Sequence, residues 1–413
     1  MILLISAVFP PEPVVSASIT YDLAIALSET REVRVLTPKP SRPFGFSFNK
    51  DWVKNGKFKQ IILESFTCPE SNLFGRMRES YSFGKHSANF IKKNRKEIEC
   101  IYLNTWPLLS QYLIVKASKK YSIPSVIHVQ DIYPESLSSK IRIFGNIIRM
   151  MLLPIDNYSL RNVSKIVAIS DKMLKTLIQT RDISAFKIEI VQNWQNEGEF
   201  IKYKESHATQ NAIETKGKPF TFMYLGNIGP VAGVDFLIES FAKANLKETL
   251  LVIAGSGSNK GNCLKIAESF KNSRIEFYDV PSGKVPEIQE KADVMLLNVR
   301  KGSAMNSIPS KLPAYMFSEK PILASIDKES DTAHAIMKAN CGWVVPPEDI
   351  DALSIAMRTI VSTPELDMKS FARNGFIYAM ENYSKKTNLQ KLVSIINEVL
   401  PHQLEKLESK ASE

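Results

Sequence analysis

The sequence is poor in the residues that would tie it to a metal, a disulfide framework or a bilayer span. It has four cysteines, Cys68, Cys100, Cys263 and Cys341. None forms a CxxC pair and no histidine cluster lies near them, which argues against a zinc site. They read as reduced thiols of a cytosolic protein. No run of about 18 uncharged apolar residues occurs, so no transmembrane helix is expected. The chain opens on a strand pattern, Met1-Ile2-Leu3-Leu4-Ile5, without a basic segment and cleavage site, so no signal peptide is expected. No repeat of 20–50 residues is visible, which argues against a solenoid.

What is present is an ordinary globular composition with uneven charge. The 413 residues carry 53 Lys and Arg against 43 Asp and Glu, a net charge of +10. Residues 1–200 hold 27 basic and 18 acidic residues, and residues 201–413 hold 26 and 25. The net charge of +9 in the first half suggests a domain that meets an anionic surface. The candidates are a membrane leaflet, a phosphate-bearing acceptor or nucleic acid. No nucleic-acid-binding motif occurs and the basic residues are scattered, so a nucleic-acid partner is not expected.

Short apolar runs alternate with helical spacing along the whole length. Ile2–Ser6 reads as a strand, and Ile19, Leu23, Ala26 and Leu27 share a helix face within Ser16–Leu27. Val33–Leu36 is the next strand. Residues 38–75 read as loop, with Phe44, Phe46, Phe48 and Trp52 in it, either a mobile acceptor loop or a structural excursion. Helix Tyr81–Lys93, strand Cys100–Leu103, helix Leu108–Lys120, and strands Ser125–Val129 and Lys165–Ser170 follow. After helix Met173–Thr180 and strand Ile188–Val191, a polar run from Asn196 to Lys218 reads as a linker. Strands Phe220–Leu225, Leu250–Ala254, Ile275–Tyr278, Val294–Val299, Ile322–Ala324 and Gly342–Val345 then repeat the alternation, with a helix through Phe236–Ala242. Two such halves argue for an α/β protein of two Rossmann-like, doubly wound domains facing a central cleft. The expected boundaries are 1–195, 196–385 and a C-terminal helix and tail, 386–413, returning toward the first domain.

The stretch with most chemistry is LLNVRKGSAMNSIPSKLPAYMFSEKPILA, residues 296–324. Pro309 is expected in the first turn of a helix, with Ser310 and Lys311 beside it and Arg300 and Lys301 just before. Free N–H groups, a positive dipole end and basic side chains suit a diphosphate. An ordinary strand–loop–helix unit with solvated charges fits the same residues. Gly226-x-x-Gly229 and Gly255-x-Gly257 each follow a strand, and their turns should converge with Pro309–Lys311 on one ligand end. The second pair lacks a third glycine and an acidic residue on the next strand, which rules out an NAD fingerprint. His128 and Asp131, at the end of a first-domain strand, serve either as base and orienter or as turn caps. Glu12, Pro13 and Ser16, in and after the first loop, are candidates for acceptor contact. Lys140–Ile155, KIRIFGNIIRMMLLPI, reads either as a helix lying in a membrane interface or as one buried between layers.

Five segments in order, FPPEPVVSASITYDLA, VQDIYPE, YLGNIG, AGSGS and PSKLPAYMFSEKPILA, resemble the family 4 retaining glycosyltransferases of the GT-B fold, over nearly the whole chain. The sequence looks most similar to the bacterial branch transferring N-acetyl-L-fucosamine in polysaccharide biosynthesis. The resemblance implies a UDP-sugar donor in the second domain, bound by Gly226, Asn227, Gly229, Gly255, Gly257, Arg300, Ser310 and Lys311, with Glu12, Pro13 and Ser16 toward the acceptor. It implies catalytic roles for Asp131, His128, Lys311 and Asn306. Two family glutamates fall at Asn306 and Ala314, and a basic pair falls at Asn227 and Ala232. The diphosphate is then expected to meet Ser310, Lys311 and Arg300. Glu319 stands where the family often has glycine. No DxD-type pair is expected in the cleft, so neither metal nor cofactor is.

The expected activity is retaining transfer of an N-acetylated deoxysugar from UDP to an undecaprenyl-diphosphate-linked saccharide, in O-antigen, capsule or exopolysaccharide synthesis. The enzyme would be cytoplasmic and peripheral on the inner face of the plasma membrane, against anionic lipid. The alternatives are a UDP-sugar 2-epimerase of the same fold and a basic nucleic-acid-binding protein.

Overall fold

The computed structural model describes residues 1–12, 14–42, 56–70, 72–105, 108–138, 145–207, 217–281, 283–303 and 309–401. The chain divides into two units, one formed by Met1–Asn193 with the segment from Asn388 on, the other by Trp194–Thr387. The boundaries expected from sequence fell at 195/196 and 385/386.

The first unit is built on β1 (Ile2–Ser6), β2 (Val33–Thr37), β3 (Lys59–Ile62), β4 (Cys100–Thr105), β5 (Ser125–Val129), β6 (Lys165–Ala168) and β7 (Ile188–Ile190). They pair in parallel in the order β3-β2-β1-β4-β5-β6-β7. The second unit carries β8 (Phe220–Leu225), β9 (Thr249–Ala254), β10 (Ile275–Tyr278), β11 (Val294–Asn298), β12 (Ile322–Ser325) and β13 (Gly342–Val345). These also run parallel, in the order β10-β9-β8-β11-β12-β13. Strands β1, β5, β9, β11 and β12 are buried along their whole length. Burial on both faces is what a parallel sheet covered by helices demands, and it explains their continuous apolar runs. In the second unit Met223, Leu225 and Met295 pack with Leu312, Tyr315 and Phe317 on one face. Phe222, Tyr224 and Leu296 pack with Leu237, Ile238 and Phe241 on the other.

Strand order reverses between β1 and β4 in the first sheet and between β8 and β11 in the second. Ligands of open α/β sheets bind outside the carboxyl ends of strands at such a switch point. Gly226 follows β8, and the loop leading to Lys311 follows β11. Both flank the second switch point.

The structure corrects several expectations. The stretch expected as loop contains β3, an edge strand with only partial burial, and the helix expected from Tyr81 begins at Leu73. The expected linker starts with a helix, Glu197–His207. There Glu197 accepts bonds from Ser384 Oγ (2.7 Å) and from the N–H groups of Lys385 (2.7 Å) and Lys386 (3.2 Å), so it caps the helix Lys385–Val399. The helix expected to take Pro309 in its first turn begins at Lys311, with Ser310 as its N-cap residue.

Glu319, just past that helix, has φ of +49°. A Cβ in the left-handed region costs about 1 kcal/mol or more. The Glu319 carboxylate pairs with Lys204 and with Arg373 Nη1 (3.1 Å), so the strained position is held by two cations. Glu319→Ala removes both pairs and keeps the Cβ, whereas Glu319→Gly removes both pairs and the strain. The glycine variant is therefore expected to exceed the alanine variant by about 1 kcal/mol in chemical denaturation. Equal midpoints would show that the left-handed turn relaxes without cost.

Candidate active site

The second switch point is built from three turns that hold one another. Gly255 has φ of +137°, and a Cβ there would lie 2.0 Å from the Gly226 carbonyl oxygen. A Cβ on Gly257 would lie 2.4 Å from the Ile228 carbonyl oxygen. Only glycine permits this approach, and the two turns lock through Gly226 N–H to Ala254 O (2.9 Å) and Ile228 N–H to Ser256 O (2.8 Å). Tyr315 fixes the third element. Its hydroxyl donates to Leu225 O (2.8 Å) and accepts from Leu225 N–H (3.1 Å), which pins the end of β8 to the helix Lys311–Phe317. The Tyr224 hydroxyl donates to Asn227 O (2.7 Å), closing the Gly226–Gly229 turn.

Lys311 lies across this frame. A Cβ on Gly226 would sit 2.0 Å from Lys311 Cε, and Lys311 Nζ stands 5.3 Å from the centre of the Tyr224 ring. Burial lowers the lysine pKa from its ordinary value, and no carboxylate of the described residues pairs with Nζ. A desolvated cation with no counter-charge beside it is prepared for an anion.

The structure brings Gly226, Asn227, Gly229, Gly255, Gly257 and Lys311 to this end of the second sheet. Ser310 is exposed at the helix start, and Asn227 is exposed in its turn. Ala232 and Ala314 are buried in opposite core faces. Arg300 is committed elsewhere. Its Nη2 pairs with Asp235 (2.5 Å), its Nη1 with Glu348 (2.7 Å), and its Nε donates to Pro230 O (2.8 Å), while the guanidinium lies 4.7 Å from the Phe236 ring centre. This arginine ties three loops of the rim together, and in the structure its guanidinium is held by Asp235, Glu348 and Pro230 O. Asn306 falls outside the described residues. A cavity of about 900 Å³ opens elsewhere in this unit, toward the amino ends of its strands, between Thr221, Leu250, Tyr203 and Lys320. Its charges are largely paired with one another, as in Lys284 with Glu287 and Lys320 with Glu290.

In the first unit the candidate residues part company. His128 is fully buried on β5, its Nδ1 2.8 Å from the Tyr102 hydroxyl. Burial pushes its pKa down to about 3, so it is neutral, and the expectation of a ligand-facing base is corrected. Asp131 is exposed just past the same strand. Glu12 is buried rather than on an exposed loop. It accepts bonds from the N–H groups of Phe9 (3.1 Å), Ser41 (3.0 Å) and Arg42 (3.0 Å), and burial raises its pKa to about 6 despite those bonds. It therefore ties the loop after β1 to the loop after β2. Ser16 lends its carbonyl to Asn104 Nδ2 (2.8 Å). Pro13 lies outside the described residues.

Three residues with clear work escaped the sequence reading. Tyr224 and Tyr315 were hidden as apolar strand and helix positions. Arg181, also missed, is 1% exposed and organises the VQDIYPE segment. It pairs with Asp156 (2.6 Å) and in bidentate fashion with Glu135 (2.9 and 2.6 Å), and it donates to Tyr133 O (2.6 Å).

Two family profiles account for most of the chain. "Glycosyltransferase Family 4" matches residues 16–196 and "Glycosyl transferases group 1" matches residues 206–375. The chain is a glycosyltransferase. Its resemblance to relatives is broad: it is 25% identical over 307 residues to the probable glycosyltransferase WbjE of Pseudomonas aeruginosa, covering 73% of this chain and 72% of that one. It is 23% identical to the putative colanic acid biosynthesis glycosyl transferase WcaI of Escherichia coli K12, covering 66% and 67%. Among solved structures, Anabaena Alr3699/HepE in complex with UDP superposes with a TM-score of 0.69 at 14% identity, covering 96% and 99%. A glycosyltransferase from Rickettsia africae gives 0.66 at 16% identity, covering 96% and 98%, and WaaG, a glycosyltransferase involved in lipopolysaccharide biosynthesis, gives 0.62 at 17%, covering 96% and 99%. The enzyme has the GT-B fold, two parallel-sheet α/β domains.

Breaking a buried ion pair from one side strands a charge and costs about 3–5 kcal/mol. Arg181→Leu in this glycosyltransferase should therefore lower stability by about that much in urea unfolding. Adding Asp156→Asn should recover part of the loss. An Arg181→Leu protein of wild-type stability would show that Asp156 and Glu135 find water instead.

Proposed function

We propose that this enzyme moves a sugar, with retention, from a UDP-sugar to a lipid-linked glycan during bacterial polysaccharide synthesis. The donor sugar proposed is N-acetyl-L-fucosamine, and the acceptor an undecaprenyl-diphosphate-linked saccharide. The observation that carries the reading is the largely buried Lys311 ammonium at the switch point of the second sheet, which no carboxylate of the described residues pairs with. As the anomeric C–O bond breaks, negative charge grows on the departing β-phosphate. A preorganised cation in a site of low polarity stabilises that charge more than water does. The acceptor hydroxyl bonds to the anomeric carbon on the face that UDP leaves, and its proton passes to the departing β-phosphate oxygen. No step is assigned to a metal or cofactor. The HepE structures solved with UDP and with UDP-glucose support a uridine nucleotide, and the names of WcaI and WaaG support a polysaccharide product. The epimerase alternative needs acidic residues and histidines in the cleft, and His128 is a core residue, which weighs against it.

UDP should raise the melting temperature by mass action, and GDP and dTDP should not at equal concentration. Lys311→Ala should reduce UDP affinity roughly tenfold, the scale of one lost charge-assisted contact, and turnover about 10²-fold. Stabilisation by GDP alone would overturn the donor assignment.

We also propose that the first domain sits on anionic lipid at the inner face of the plasma membrane, where a lipid-linked acceptor lies. No helix of the described residues is long and apolar enough to cross a bilayer. What supports surface docking is two exposed apolar stripes. The helix Gly145–Asn162 exposes Ile147, Met150 and Met151, the last two at 70%. The helix Leu73–Asn94 exposes Leu73, Phe74, Met77 and Tyr81, with Phe74 at 82%. Its Ser80 accepts from Ser110 N–H (3.0 Å), at the start of the helix Leu108–Lys120, so its first two turns project roughly 10 Å beyond that start. Residues 139–144, including Arg142, lie outside the described residues. Because these apolar side chains are exposed, Phe74→Asp with Met150→Asp should leave the melting curve near wild type and abolish salt-sensitive flotation with phosphatidylglycerol vesicles. Wild-type protein that remains in the soluble fraction at low salt would remove the membrane from the reading.

A further inference from the structure

Tyr224 belongs to the opposite face of the second sheet from the helix that carries Lys311. Tyr224 packs with Phe222, Ile228 and Leu237, whereas Leu312 and Tyr315 of that helix pack with Met223 and Leu225. For Lys311 Nζ to stand over the Tyr224 ring, its side chain passes over the end of β8. It crosses at Gly226, where a Cβ would lie 2.0 Å from Lys311 Cε and 3.0 Å from Cδ. The absent side chain of Gly226 is therefore the notch through which the lysine threads.

We infer that Gly226 and Tyr224 are positioning residues for the phosphate-binding ammonium, Gly226 by opening the notch and Tyr224 by presenting its ring face at the far side. This rests on the proposal that Lys311 meets the UDP diphosphate. The two parts of Tyr224 have separate tasks. Its hydroxyl holds Asn227 O at 2.7 Å and so shapes the turn. Its ring is the electron-rich surface that faces the ammonium at 5.3 Å. An aromatic face stabilises the charged form of a lysine, and a desolvated site makes that effect larger. The ring thus counters the burial that draws the Lys311 pKa down. Among the described residues, the titratable groups at this corner are Tyr224 from β8 and Tyr315 from the lysine's own helix, with Cys263 coupled electrostatically to Tyr224. All three are neutral near pH 7, because burial raises each pKa.

The sign follows. Removing the ring face destabilises the ammonium, so the Lys311 pKa falls and UDP affinity is lost at lower pH. Wild type, Tyr224→Phe, Tyr224→Leu and Gly226→Ala would be compared by UDP affinity from pH 6 to 10. The Lys311 resonance would also be titrated in ¹³C-dimethylated protein, assigned with Lys311→Arg. Tyr224→Leu is expected to move both the alkaline limb of UDP affinity and the Lys311 midpoint down by about half a pH unit or more. Tyr224→Phe keeps the ring and should keep both within a few tenths of a unit. Gly226→Ala meets the flexible Lys311 side chain and strains a backbone held at φ of +156°, so it should weaken UDP binding roughly tenfold while Lys311 becomes more accessible and its midpoint rises toward that of an ordinary lysine. The midpoint is a property of the folded molecules, so a loss of stability in Tyr224→Leu does not mimic it. A wild-type midpoint in Tyr224→Leu, or an equal shift in Tyr224→Phe, would overturn the role of the ring. A Gly226→Ala protein with wild-type UDP affinity and Lys311 midpoint would overturn the notch. If UDP leaves the Lys311 resonance unmoved in wild type, the diphosphate reading fails and the pKa comparison still decides the positioning.

Discussion

The second domain depends on one ammonium, Lys311, that no carboxylate of the described residues balances. An ammonium held out of water without a carboxylate partner is costly, and proteins ordinarily neutralise such a group or pair it. Here the cost falls on Lys311, and the surrounding parts either hold that lysine in place or lessen the penalty. Tyr315 fixes its helix to β8, the glycine turns clear its path, and an aromatic ring faces its charge. Other cations of this domain are treated oppositely. Arg300 is surrounded by acceptors, and Lys204 and Arg373 share Glu319. Among the described residues, these cations are saturated by acceptors and Lys311 is not paired with a carboxylate, which separates scaffold from site.

The first domain spends its buried charges on shape. Glu12 gathers three backbone N–H groups from two loops, and Glu79 binds Arg42 (2.6 Å) and Arg76 (2.7 Å) at the foot of the projecting helix. Arg181 does the same for the segment after β5. Of these, only Glu12 looked like a ligand contact in the sequence, because it sits in the loop after the first strand. Burial and saturation make them ties between loops instead. Asp131, just past β5, is exposed.

The alternation of strands and helices was readable because buried parallel strands are unbroken apolar runs. Phe220–Leu225, Ile275–Tyr278 and Gly342–Val345 agree with the structure residue for residue. What escaped was whatever lacked an apolar signature. β3 lies at an edge with half its residues exposed, and Glu197–His207 buries only Glu197 and Phe200. The first two turns of Leu73–Asn94 carry apolar residues that face outward, which breaks the helical pattern of a core-facing stripe. For the site, Lys311 and the glycine turns were legible through their places after strands. The commitments of Arg300 were not, since Asp235 and Glu348 lie 65 and 48 positions away. The burial of His128 was equally invisible, because one polar residue in a strand does not announce which way it faces.

Gly255 resting on the Gly226 carbonyl also has an evolutionary consequence. The floor under Lys311 is made by two turns from different strands, and the one after β9 cannot acquire a side chain at Gly255 or Gly257 without moving the other. A change after β9 is thus felt at the lysine through backbone alone, with no side chain relaying it. Substitutions at Gly255 and Gly226 should not add, and drift in one turn constrains the history of the other. Descendants of this fold that alter the phosphate corner must then rebuild both turns together, or keep both glycines and vary the side chains around them.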